Sequence, residues 1–254
     1  DADYFTQPPL FTTLRIENGG TDAIADLILS VTNDHGLLVS CVKPLEEIPF
    51  ESTVEVELGN ILSPLYFVGL EEVREEEISV ELRKDKQLLA SARLKVVALP
   101  FDYWQGASGN AELLASFVRP KLADCERLKA EIAAQLKKWG VENELGGYEG
   151  NNKNAIRQTA AALYACIRRY AFERKESDIS VPTEAGAGVK LLAERKATPL
   201  ELALLFSACV ENLGLHPVIV LGEKEVTCGV WLYDSCFMDT VSDDIQRLGK
   251  YVSD

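Results

Sequence analysis

The sequence predicts an α+β chain in two parts, a β-sandwich over residues 1–99 and an α/β domain over residues 100–254. Three observations carry this. Apolar and polar residues alternate with period two through the first hundred residues. After the aromatic stretch Phe101-Asp102-Tyr103-Trp104 the apolar spacing changes to the 3.6 of a helix. Near the end, a helix apolar on almost every side, Leu202 to Val210, is followed by two short apolar strands.

The strands follow in order. Thr13 to Glu17 alternates and stops at Asn18-Gly19-Gly20; Ala25 to Thr32 is closed by Asn33-Asp34-His35-Gly36. Leu37–Val42, Thr53–Leu58, Glu77–Arg83 and Leu88–Val97 continue the pattern. Lys84-Asp85-Lys86-Gln87 joins the last two as a hairpin. Six or seven short strands separated by turn signals give an immunoglobulin-like sandwich, without the Cys…Trp…Cys signature of antibody domains. The acidic run Glu71 to Glu77 reads as a solvated loop.

The aromatics Phe101, Tyr103 and Trp104 sit where a boundary falls and are expected to pin the two domains together rather than bind a ligand. Leu122, Cys125, Leu128, Ile132, Leu136 and Trp139 stripe a first helix that ends at Gly140. Ile156, Thr159, Ala160, Leu163, Cys166, Ile167 and Tyr170 stripe a second, entered through Asn151-Asn152. Residues 173–196 read as irregular, and Gly186-Ala187-Gly188 is too short a signal for a phosphate loop. Thr198-Pro199-Leu200-Glu201 opens the apolar helix as a capping box with proline at its first position, and Asn212-Leu213-Gly214 closes it. His216 to Leu221 and Val226 to Tyr233 form an antiparallel pair around the charged turn Gly222-Glu223-Lys224-Glu225.

Composition narrows the function. The net charge is −14, of which −10 falls in residues 1–100 and −4 in residues 101–254, a surface that repels a phosphate backbone. No apolar run reaches the roughly 20 residues of a membrane span. The N-terminus has neither a basic n-region nor an apolar h-region, and it lacks an initiator Met, the expectation for a piece of a longer cytoplasmic protein. The six cysteines, Cys41, Cys125, Cys166, Cys209, Cys228 and Cys236, are scattered without a CxxC pair. Together with only two histidines, His35 and His216, they read as reduced thiols with no metal site; no cofactor is expected.

A buried helix followed by antiparallel strands resembles the core of the transglutaminase-like branch of the papain superfamily. The strings from Leu113 to Pro120, Ala197 to Phe206, Gly214-Leu215-His216-Pro217 and Cys228-Gly229-Val230-Trp231-Leu232 are similar, in order and spacing, to the N-terminal region of large bacterial proteins that continue into a superfamily I helicase and a nuclease-like domain. The resemblance runs from about Trp104 to Asp244. It implies a Cys at the start of the central helix, a His base on the following strands and an Asp that orients it.

Both key positions depart from that pattern. The nucleophile position is Pro199 and the base position is Glu225; the third position falls on Asp234 or Asp239. Proline has no nucleophilic side chain, and a carboxylate is a weak base near neutral pH. The resemblance therefore implies a pseudoenzyme, a binding or scaffold module whose groove, with Thr198, Glu225 and Trp231, holds a peptide, a protein partner or another domain of the same polypeptide. Two other readings stand beside it. One is a cysteine-dependent acyl transferase or protease with a relocated nucleophile among Cys209, Cys228 and Cys236, although Cys209 lies near the far end of the buried helix, no His accompanies Cys228 or Cys236, and His216, just before Pro217, reads as a strand-end cap rather than a base. The other is a nucleic-acid module using Arg168, Arg169, Arg174 and Lys175 at one helix end, where those cations also complement the helix dipole.

Overall fold

The computed structural model describes residues 13–108, 111–141, 145, 147–150, 152–186, 191–222, 225–239 and 241–250. The expectations for the first twelve residues, for Asn151, for Ala187 and Gly188 and for Glu223 and Lys224 lie outside these. The chain is α+β and divides into two compact units, Asp1–Phe101 and Asp102–Asp254.

In the first unit β1 (Leu14–Asn18) pairs antiparallel with β4 (Ser52–Val56). A second antiparallel sheet has the order β3 (Cys41–Leu45), β2 (Leu27–Thr32), β5 (Arg74–Lys84), β6 (Gln87–Ala98). The alternation dictates which side chains face inward. Leu29, Val31, Ile78 and Val80 of the larger sheet and Val56 of the smaller share one buried cluster, with Leu14, Ile16 and Val54 packed against it. Asp85, in the left-handed region at φ 49°, makes the tight turn between β5 and β6.

Three details differ from the sequence reading. The third strand begins at Cys41 rather than Leu37. Asn33 Oδ1 accepts the N–H groups of His35 and Leu37 and so turns the chain, and Leu38 is buried in a bridge to Leu62. Pro44, which cannot donate to a ladder, is accommodated because β3 is an edge. A short helix α1 (Pro64–Val68) starts at a proline in its first turn. The acidic run is not all loop: β5 begins at Arg74, and Glu76 is 2% exposed. Its carboxylate accepts from Asn33 Nδ2 (2.9 Å) and Tyr66 Oη (2.7 Å) and pairs with His35 Nδ1 (2.8 Å). Burial works against the charge, but these three partners outweigh it and hold the pKa at about 2.

The second unit is built on three helices: α2 (Ala123–Lys138), α3 (Lys153–Arg169) and, after the single turn α4 (Leu191–Glu194), α5 (Pro199–Asn212). Their stripes meet in one core: Cys125, Leu128, Ile132 and Leu136 from α2, Ile156, Leu163 and Cys166 from α3, and Leu205, Ala208 and Cys209 from α5. Asn152 caps α3, its Oδ1 accepting from the N–H groups of Asn154 and Ala155. A hairpin of β11 (Pro217–Leu221) and β12 (Val226–Val230) packs on α5, in the register Pro217↔Val230 to Leu221↔Val226.

Trp104 belongs to this unit. In the two-residue strand β7 (Tyr103–Trp104), paired with β9 (Thr183–Glu184), it is 1% exposed among Leu114, Phe117, Ile179, Leu200 and Leu204. Gly186 has a packing role rather than a phosphate-loop one, since a Cβ there would fall 2.4 Å from Asp102 Cβ. Part of the stretch expected to be irregular is ordered as well. β8 (Glu173–Arg174) runs parallel to β10 (Lys196–Ala197) immediately before α5.

Candidate functional site

The start of α5 is where the sequence placed the chemistry. Thr198 is extended (φ −79°, ψ 160°) and caps the helix: its Oγ1 accepts from Glu201 N–H at 3.1 Å, and Glu201 Oε2 accepts from Thr198 N–H at 2.7 Å. Pro199 occupies the first helical position, where a missing N–H costs nothing. Leu202 N–H already bonds back to Thr198 C=O. Glu201 is 1% exposed; burial raises its pKa, opposed by the Thr198 N–H and by Lys175. Lys175 Nζ stands 3.6 Å from Glu201 and 3.2 Å from Glu184; burial disfavours its charge, but the two carboxylates prevail and raise its pKa. The helix terminus, which in a thiolate enzyme would face the nucleophile, is here filled by its own cap.

Glu225 is exposed in the hairpin turn, where its C=O accepts the Gly222 N–H at 2.8 Å. This end of the hairpin lies beside the first half of α5, because Leu221 and Val226 pack in one cluster with Leu200 and Leu204. The other candidates lie at the opposite end. Trp231 N–H donates to His216 C=O, just beyond the Pro217–Val230 pair, a strand length of roughly 13 Å from the turn. Asp234 Oδ1 is 3.0 Å from His216 Nε2, and Asp239 Oδ2 is 2.7 Å from Arg247. Neither aspartate is engaged with Glu225. Of the three residues expected to line a groove, Thr198 is buried, Glu225 is exposed at the turn, and Trp231 stands at the far end, edge-on to Phe237 at 5.0 Å.

What the far end does assemble is a constellation that sequence reasoning missed. Tyr148 Oη donates to Trp231 C=O and accepts from His216 N–H, both at 2.9 Å, and its ring stacks on His216 at 5.3 Å. Burial raises the Tyr148 pKa; the His216 N–H opposes this and the Asp234 charge adds to it. Tyr148, His216 and Asp234 line, with Gly147, Glu149 and Gly214, a pocket of about 500 Å³. Gly147 has a steric purpose, since a Cβ there would lie 3.1 Å from Gly214 C=O. The sequence signal was present in Gly147-Tyr148 and Gly214, but nothing local connects them. The arrangement holds an exposed His–Asp pair over an aromatic ring whose hydroxyl both donates to and accepts from the main chain.

Most of the remaining thiols and cations are buried or paired elsewhere. Cys209 and Cys125 are buried together; the hydrogen bond they share, with burial, pushes the Cys209 thiol up. Burial raises Cys228, opposite Ile219 in the hairpin, to about 11. Cys236 is exposed. Arg169 bonds Gln135 and Glu131, Arg168 lies over the Tyr164 ring, and Lys175 serves Glu184 and Glu201. Arg174 is exposed in β8. Among the described residues no cluster of His, Cys, Asp and Glu has the make-up of a metal site, and no helix is long and apolar enough to cross a membrane. Comparison of the chain with protein-family models, curated proteins and solved structures finds no match.

Proposed function

We propose that this chain is a non-catalytic binding module, an immunoglobulin-like β-sandwich joined to a transglutaminase-like domain that has lost its nucleophile and its base. The observation that carries the reading is the closed start of α5, where Pro199 stands at the first helical position and Thr198 and Glu201 cap each other. Acyl transfer needs an activated nucleophile within hydrogen-bond reach of a base. Pro199 offers none, and Glu225 is an exposed turn residue. Support for the sandwich comes from two antiparallel sheets that contribute to one core. Support for the transglutaminase-like domain comes from a buried central helix followed by an antiparallel hairpin.

In this proposal the module is cytoplasmic, forms the N-terminal part of a larger bacterial helicase- or nuclease-type protein, and binds another domain of that polypeptide or a peptide partner. The test is turnover. Glutaminyl peptides with a primary amine, and simple peptide and ester substrates, are expected to remain unchanged at micromolar protein; product formation above the buffer rate that survives repurification would overturn the reading.

A further inference from the structure

We infer that the free edge of β6 is a docking site for an extended polypeptide segment in which large apolar and acidic residues alternate. β6 ends the strand order β3-β2-β5-β6, so among the described residues one of its edges has no neighbour. It is 12 residues long, about twice a usual strand, and its first nine residues are all exposed. Edge strands are normally short, bulged, charged, broken by proline or covered, because their open N–H and C=O groups are a template for another chain; in β6 the bulge is confined to the turn end, and its charges, Arg93 and Lys95, select against a basic strand. The one irregularity is this bulge near the turn, where Leu89 of β6 is left without a partner between the pairs Arg83↔Leu88 and Leu82↔Ala90; from Ala90 to Ala98 the ladder is regular.

The two faces of β6 specify what fits. On the inner face Ala90, Ala92 and Leu94 stand opposite Leu82, Val80 and Ile78. Ile78 and Val80 are buried, yet one strand further out the same face is uncovered, with Leu94 40% exposed. Large apolar side chains on an added strand would fill the space above the two alanines. On the outer face stand Arg93 and Lys95, and residues 86–101 contain three basic residues and no acidic one, in a segment whose first hundred residues carry −10. The neighbour already in place shows the matching chemistry: Lys95 is opposite Glu77 of β5, and Arg93 Nη1 lies 3.2 Å from the same carboxylate. At a Debye length of about 8 Å an incoming strand responds to these nearest charges more than to the net charge. A second copy is a poor occupant, because antiparallel self-pairing centred on Leu94 puts Arg93 opposite Lys95. Docking by strand addition draws affinity from main-chain hydrogen bonds and specificity from alternate side chains.

The experiment uses the whole chain and a fluorescein-labelled peptide with the sequence of residues 75–82, the acidic stretch of the strand that β6 already pairs with on its other side. A control peptide has its four glutamates replaced by lysine. Expected are saturable anisotropy with the acidic peptide alone, protection from hydrogen exchange concentrated in residues 87–98, and at least about tenfold weaker binding by the Arg93→Glu/Lys95→Glu variant. Far-UV circular dichroism checks that the variant is folded; if it is not, Arg93→Gln/Lys95→Gln replaces it. The inference is overturned by the absence of saturable binding, by binding that charge reversal leaves unchanged, by protection elsewhere, or by a dimer that itself protects residues 87–98.

Discussion

Thr198 and Glu201 cap the central helix reciprocally, each accepting the other's main-chain N–H, at 3.1 Å and 2.7 Å. Because both are buried, either bond lost leaves a polar group without water. Thr198→Ala is expected to cost about 1–2 kcal/mol, and Glu201→Ala about 1–3 kcal/mol. Glu201→Gln keeps the acceptor and removes a charge that burial disfavours, so it should lie within about 1 kcal/mol of the parent. Urea denaturation of the three variants checks the order; a costly Glu201→Gln with a harmless Thr198→Ala would mean that the charge rather than the cap is what matters.

Glu76 is the corresponding buried carboxylate of the first unit, with the opposite sign of pKa shift. Its folded pKa of about 2 lies below the ordinary 4.5, so its contribution is fully present above about pH 4.5 and is lost as pH falls through 2. Glu76→Gln turns an NH₂ group toward the donors Asn33 and Tyr66 and should cost about 1–3 kcal/mol at pH 7. The difference between parent and variant should then shrink from pH 4.5 downward. Denaturation at pH 7, 4 and 3 measures it; a constant difference would contradict this assignment.

At the far end of the hairpin the exposed His216–Asp234 pair should be worth little: Asp234→Asn is expected to change stability by no more than about 1 kcal/mol. Tyr148→Phe removes the hydroxyl that serves both His216 N–H and Trp231 C=O and should cost about 1–3 kcal/mol. Amide exchange at His216 should accelerate in the tyrosine variant and not in the aspartate one.

Trp104 tests the boundary. Trp104→Ala should destabilise the second unit by about 3–5 kcal/mol, because a side chain 1% exposed among Leu114, Phe117, Leu200 and Leu204 leaves a cavity. Loss of exchange protection in α5 together with β7 is the expected readout; protection lost only before residue 101 would place the tryptophan's packing elsewhere.

The features legible in the sequence are those that short-range physics decides. Alternation located the six strands among the described residues of the first unit to within a few residues, and Thr198-Pro199-Leu200-Glu201 announced its own cap, since every atom involved lies within four residues. The features that were missed depend on distant partners. Glu76 looks solvated in its acidic run until Asn33 and His35, more than 40 residues earlier, supply donors. His216 looks like a strand-end cap until Tyr148, 68 residues earlier, and Asp234 close on it. Asp234 could be placed after the hairpin, but only the hairpin's length, read from the register, together with the His216 contact sets it a strand length from Glu225.

The most direct measurement of the central claim follows the six thiols with a thiol-directed electrophile by mass mapping while acyl-substrate turnover is recorded in parallel. Exposed Cys236 should label first and at an ordinary rate, Cys41 and Cys228 more slowly, and buried Cys125, Cys166 and Cys209 only on unfolding, with no turnover throughout. Rapid stoichiometric labelling of one cysteine, together with turnover that its replacement by serine abolishes, would contradict the account of a helix start closed by its own cap.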